Sequence, residues 1–194
     1  MNILVVGQSV VDKIIYNDGY SIKPGGIFYS VVAILSQIQP EDKVYLCSSI
    51  DKQNEQLFKD TYDKIEREFL VYVNSIPHVE LVINNVCERN ETYSQAAQNL
   101  LLPVDDLNRF DGILINMISG FDISLDQLKQ LRKNYGRLIY FDVHTFSRGL
   151  DENRHRNFRQ ILDFNEWAKC IDILQVNESE LLTLSDKKVE TSIV

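Results

Sequence analysis

Short runs that are apolar almost throughout recur along the chain, at residues 2–6, 43–48, 112–116, 137–142 and 171–176. Runs of this length without polar alternation read as strands buried on both faces, which is the state of strands in a parallel sheet covered by helices. Parallel neighbours need long crossovers, and the segments between the runs are helix-patterned. Helices are predicted from the glycine pair at 25 and 26 to about residue 37, then over 51–67, 124–134, 153–169 and 178–184. Ser124 ahead of Asp126 and Gln127 gives the third of these a near capping box.

Two stretches break this rhythm. Residues 10–16 and 20–22 flank Asn17, Asp18 and Gly19, and Asp-Gly between β-prone residues predicts a hairpin. Residues 69–73, 79–86 and 91–93 are also β-like, separated by Pro77 and a polar turn at Arg89 and Asn90. The expectation is a single α/β domain over 1–194 with a mostly parallel sheet and a small β-sheet lid from about 10–22 and 69–94. Residues 187–194 follow a helix with no strand left to pair, so the sheet is expected to be incomplete at the C-terminus.

The net charge of -8 argues against a nucleic-acid surface, which needs clustered Lys and Arg. Cys47, Cys87 and Cys170 lie far apart among apolar residues and read as reduced core thiols, which suits a cytoplasmic protein. No apolar run approaches about 18 residues and the N-terminus has no basic leader, so neither a membrane span nor a signal peptide is expected.

In an open parallel sheet, ligands bind beyond the carboxyl ends of the strands, so polar residues at those ends are candidates. They are Gly7 with Asp12, Asp142 with His144, and Asn177 with Glu180. Gly25 and Gly26, followed by an apolar helix, make either a floor where a ligand meets free N–H groups or only a tight turn. Asn177 and Glu180 are spaced as a capping box, or could hold a metal-bound water. Asp142 directly after an apolar run is either a turn residue or a site residue. Asp12 sits in an apolar stretch, where burial without a donor is costly, and a hydroxyl of a bound polyol would serve.

Taken together, the strand ending at Gly7 with Asp12 beyond it, the hairpin, Gly25 and Gly26 opening a helix, Asp142 after a central strand, and Asn177 with Glu180 at a strand-to-helix junction resemble the PfkB, or ribokinase-like, family of carbohydrate kinases. The order follows that family's N-terminal two thirds. The resemblance implies a Rossmann-like three-layer α/β/α domain with a β lid, using ATP and Mg²⁺ to phosphorylate a hydroxymethyl group of a sugar or nucleoside. By the same analogy Asp12, Gly25, Gly26 and Ser30 would bind substrate. Asp142, His144, Asn177 and Glu180 would organise phosphates or magnesium without binding the metal directly. Arg89 either reaches over the site or is a solvated turn residue.

The sequence departs from the family pattern at Ser30 and His144, where asparagines are common, and at residues 49–54, where only Asp51 of a glycine-rich turn remains. The family's Gly-Ala-Gly-Asp-like anion hole and catalytic base would lie beyond Val194, so the 194 residues alone are expected to be inactive. A natural short, non-catalytic relative that binds a polyol or pairs as a homodimer through the lid is the alternative. A dinucleotide-binding protein ranks below both because Gly7, Gln8 and Ser9 lack the G-x-G-x-x-G fingerprint. Weaker still is a metal hydrolase using Asp142, His144 and His155. Arg154, Arg156 and Arg159 with Trp167 read as a solvated helix face with one core indole.

Overall fold

The computed structural model describes residues 1–82, 90–94 and 98–185. In chain order its elements are β1 (Asn2–Val6), β2 (Ser9–Tyr16), β3 (Gly19–Gly26), α1 (Ile27–Leu35), β4 (Lys43–Ile50) and α2 (Glu55–Tyr62). Next come β5 (Leu70–Tyr72), β6 (His78–Val82), β7 (Asn90–Tyr93), β8 (Gly112–Asn116), α3 (Leu125–Asn134) and β9 (Leu138–Asp142). The chain then forms β10 (Arg148–Leu150), β11 (Arg156–Phe158), α4 (Phe164–Ala168), β12 (Ile173–Gln175) and α5 (Glu178–Leu181). Of the sequence-predicted features, residues 83–86, Cys87, Arg89 and the tail 187–194 lie outside the described residues.

The apolar runs build one six-stranded sheet in the order β12-β9-β8-β1-β4-β5, parallel throughout. Alternate residues of each run go to opposite faces. Leu4 and Val6 join a core with Ile115, Phe141, Leu128 and Trp167 on the α3 and α4 side, whereas Val5 and Leu46 pack with Ile27, Val31 and Phe58 of α1 and α2. A strand that must satisfy two cores has no polar positions to spare, which is why the runs are continuously apolar. Ser124 caps α3 with a full capping box, its hydroxyl accepting from the Gln127 N–H at 3.2 Å while Gln127 Oε1 accepts from the Ser124 N–H at 2.9 Å.

From β1 the sheet grows first towards β4 and β5, then returns to β8 and extends through β9 to β12. The order therefore reverses between β1 and β8, and a crevice opens at the carboxyl ends of those two strands. Above it lies a four-stranded lid in the order β3-β2-β6-β7, with β2 and β3 forming the predicted hairpin.

Several expected boundaries change. The β-like stretch 69–94 divides: Leu70–Tyr72 pairs with β4 in the main sheet, and only β6 and β7 belong to the lid. The helix expected over 153–169 is confined to Phe164–Ala168. Ahead of it, the Asp151 carboxylate accepts from the N–H groups of Asn153 at 2.9 Å and His155 at 2.8 Å, and Arg154 takes φ 63°, closing a β10–β11 hairpin instead. The expected helix over 51–67 shortens to α2, with Asp51 folded inward to accept from the Asn54 and Ile76 N–H groups, each at 2.8 Å. Among the described residues no helix is long and apolar enough to cross a membrane.

Candidate active site

The crevice at the strand-order reversal is shaped by two short backbone crossings. β1 passes through Gly7 and Gln8 directly into β2, and the Gln8 N–H donates to Asp122 Oδ1 at 2.8 Å. Asp122 is fully buried and also accepts from the Ser119 N–H at 2.8 Å, the Ser119 hydroxyl at 2.9 Å and the Gly120 N–H at 3.1 Å. Burial pushes its carboxyl up to about 6 against these donors. It fixes the end of β1 to the turn that follows β8. The second crossing is at Gly26, with φ 63°, where β3 turns into α1 and the Ile27 N–H donates to Gln8 O at 3.0 Å. A Cβ at Gly26 would lie 2.5 Å from Gln8 O, so this corner requires glycine for both conformation and space.

A cavity of about 280 Å³ lies between this corner, the lid and the end of β8. Asp12 of β2, Gly26 and Ser30 of α1, three of the residues expected to meet substrate, line it together with His144 after β9, which was expected on the phosphate side. Gly25 stands behind Asp12: a Cβ there would come within 2.3 Å of the Asp12 carboxylate, so the bare backbone lets that carboxylate lie where it does. Asn116, Glu91, Tyr29 and Tyr93 also line the cavity and were not anticipated. Asn116 ends an apolar run just as Asp142 does, so the same positional signal marked it. Glu91 and Tyr93 share a face by strand alternation, in a stretch too short to advertise it.

Asn116 is 7% exposed. Its amide nitrogen donates to Ser30 Oγ at 3.2 Å, and its Oδ1 has no hydrogen-bond partner among the described residues. A buried acceptor of this kind costs about 1–3 kcal/mol if nothing meets it, so the cavity is suited to a hydroxyl or N–H donor. Asn116 lies level with Asp142 on β9, which in turn lies level with Gln175 on β12. The Asp142 carboxyl is half-buried and accepts from the His144 N–H. Burial, and then the nearby Glu180 carboxylate, push it up to about 6.

Asn177 and Glu180 sit one strand further out and do not line the cavity. They form a capping box at the start of α5, with Asn177 Oδ1 accepting from the Glu180 N–H at 2.9 Å and Glu180 Oε2 from the Asn177 N–H at 3.1 Å. Thus the strand-end residues do share one rim of the sheet, but they divide into a cavity group and a group beyond Asp142. His155 is elsewhere, exposed beside Asp151 at 3.5 Å on the β10–β11 turn. Among the described residues no three His, Cys, Asp or Glu side chains gather as metal ligands, which leaves the hydrolase alternative without a centre. Arg156 is not on a solvated face: it is 8% exposed, with its guanidinium 4.0 Å from the Tyr93 ring centre, whereas Trp167 is a core indole as expected.

A larger cavity of about 670 Å³ lies at the ends of β4 and β5, lined by Ser48, Ser49, Asn74 and Leu101 among others. Among the described residues its lining holds no carboxylate and no basic group. Size favours this cavity, but the smaller one is the better candidate, because it combines carboxylates, an unsatisfied amide oxygen and the reversal of strand order.

No protein-family model matches the chain. No curated protein matches it by sequence. Solved structures do match. A pyrophosphate-dependent kinase in the ribokinase family, complexed with a pyrophosphate analog and myo-inositol, has a TM-score of 0.73 at 17% identity, covering 100% of this chain and 67% of that one. A PfkB family carbohydrate kinase from Listeria grayi gives 0.65 at 10% identity, covering 99% and 67%. Ribokinase from Thermotoga maritima gives 0.64 at 16% identity, covering 92% and 60%. The chain thus spans 60–67% of the length of these structures. Its strand order, its lid and these superpositions agree on one conclusion: the chain has the PfkB, or ribokinase-like, fold.

Proposed function

We propose that these residues form the acceptor half of a phosphotransferase of the ribokinase type, which transfers a phosphoryl group to a hydroxyl of a sugar, polyol or nucleoside. The observation that carries this reading is the cavity at the strand-order reversal, where Asp12, Ser30, Asn116 and His144 converge under a β lid. Asp12 and Asn116 would hold acceptor hydroxyls, with Gly25 leaving room for the Asp12 carboxylate. Acceptor orientation of this kind supplies much of the catalytic advantage in phosphoryl transfer.

ATP with Mg²⁺ is the proposed donor pair, by the resemblance. Asp142 and Glu180 fit a hydrated magnesium ion: their like charges lie close enough for Glu180 to raise Asp142, and a cation between them would relieve that repulsion. Both Glu180 oxygens accept from Asn177, which favours contact through water over direct ligation. The magnesium would supply charge neutralisation on the phosphates. No glycine-rich anion cradle occurs in the 194 residues, so the phosphate-binding groups and the base are proposed to come from a further segment like the remaining third of the matched structures. Cytoplasmic location and pairing through the lid remain part of the same proposal.

The test is calorimetric titration of the 194-residue chain with sugars, polyols and nucleosides, alongside an assay of phosphoryl transfer from Mg-ATP. At least one acceptor should bind, Asp12→Asn should weaken it at least tenfold with unfolding unchanged, and no transfer should occur. Binding that ignores Asp12→Asn would remove the site assignment, and transfer by this chain would remove the division into halves.

A further inference from the structure

The inner face of the lid narrows the acceptor's chemical class. Asp12 pairs with Val79 and Val79 with Tyr93, while Leu81 pairs with Glu91. Because side chains alternate along a strand, Val10 and Asp12 of β2, Val79 and Leu81 of β6, and Glu91 and Tyr93 of β7 share one face, and all of them line the cavity. That face has an apolar middle with a carboxylate on either flank. β2 and β7 are two strand steps apart, roughly 10 Å. Glu91 is 8% exposed. An ionised carboxylate accepts about four hydrogen bonds, so each flank can take ligand donors in addition to the contacts it already has. Asn116 Oδ1 in the floor adds a third acceptor atom.

Acceptor groups on two flanks and in the floor call for donors spread around the whole ligand. A phosphorylated sugar would bring a negative charge against one of the carboxylates. A nucleoside has its hydroxyls at one end, and its base would face a carboxylate and an apolar strip in a cavity of only about 280 Å³. We propose that the acceptor is a compact polyol without an anionic group, whose hydroxyls at opposite ends donate to Asp12 and Glu91, and that Glu91 is a specificity-determining residue. This inference rests on the acceptor-site reading above, but its test needs binding alone.

Titration of the full chain with myo-inositol, glucose, glucose 6-phosphate and adenosine separates the possibilities. Myo-inositol or glucose should bind at least tenfold tighter than the other two. Glu91→Gln should weaken that polyol at least tenfold and narrow its lead over glucose 6-phosphate, while Asp12→Asn should weaken every ligand that enters. Glu91→Asp keeps the charge with a shorter reach and should also weaken the polyol, which covers the case in which Glu91→Gln unfolds. Tighter binding of adenosine or glucose 6-phosphate, still sensitive to Asp12→Asn, overturns the polyol class but leaves the acceptor site standing. So does polyol affinity that stays within twofold in both Glu91 variants. If no probe binds, or Asp12→Asn changes nothing, both readings fall.

Discussion

Asp122 and Asp142 are each pushed up to about 6, in different surroundings. For Asp122 the cause is complete burial, opposed by backbone and hydroxyl donors. For Asp142 it is partial burial, reinforced by the Glu180 carboxylate. Both folded values lie above the ordinary carboxylate value of about 3.9. The stability linked to these groups is therefore fully present below that value and lost as the pH rises through about 6. Glu180→Gln can still accept from the Asn177 N–H, and it removes the repulsion, so Asp142 should titrate lower while Asp122 stays in place. Carboxyl carbon shifts followed by NMR across pH 3 to 8 check this, and an unmoved Asp142 would mean that burial alone sets its value. Position beyond the end of a parallel strand marked Asp12, Asp142 and His144 as candidates in the sequence, and of these Asp12, within β2 of the lid, and His144 line the cavity. The same rule covered Asn116, whose importance becomes visible only when its unpaired oxygen is placed in the cavity. Asn177 and Glu180 illustrate the opposite limit, since one spacing served both a cap and a site, and three dimensions show the cap.

At the scale of elements, the β10–β11 hairpin ties the lid to the body. Thr92 bridges His155, the Tyr93 N–H donates to Arg154 O at 3.2 Å, and the Arg154 guanidinium donates to Ser94 O. Arg156 lies beneath Tyr93 and donates to the carbonyls of Ser119 and Arg148. Arg156→Met keeps bulk but removes these bonds and the ring contact, so it should loosen β7 locally by about 1–3 kcal/mol. Hydrogen exchange should show faster exchange at the Tyr93 amide with little change in the β1 and β8 amides; equal loss everywhere would point to global destabilisation. This hairpin was hidden in the sequence because residues 153–169 are rich in helix-compatible side chains. The decision was made locally, by the Asp151 turn and the left-handed Arg154. The strands of the main sheet were legible because burial on both faces leaves a continuous apolar signature, whereas β5 was misassigned to the lid because three residues carry no mark of their partner.

For the molecule as a whole, the open margin of the sheet matters most. Among the described residues β12 pairs on one side only, with β9, and Ile173 and Leu174 are 43% and 38% exposed. An exposed apolar edge strand of this kind favours association. Ile173→Lys should lower self-association of the 194-residue chain, measured by sedimentation at increasing concentration, with the unfolding temperature nearly unchanged. Association that persists would leave the proposed pairing through the lid as its source, with the exposed Tyr16, Tyr20 and Ile22 of the lid hairpin the residues to substitute next.

Among the described residues the cavity's lining runs from Val10 to His144. A ribosome making this protein would therefore have added every one of these wall residues to the chain before β12 is translated. Small solutes in the cell could steady the lid on the unfinished polypeptide while the outer strand of the sheet is still inside the exit tunnel.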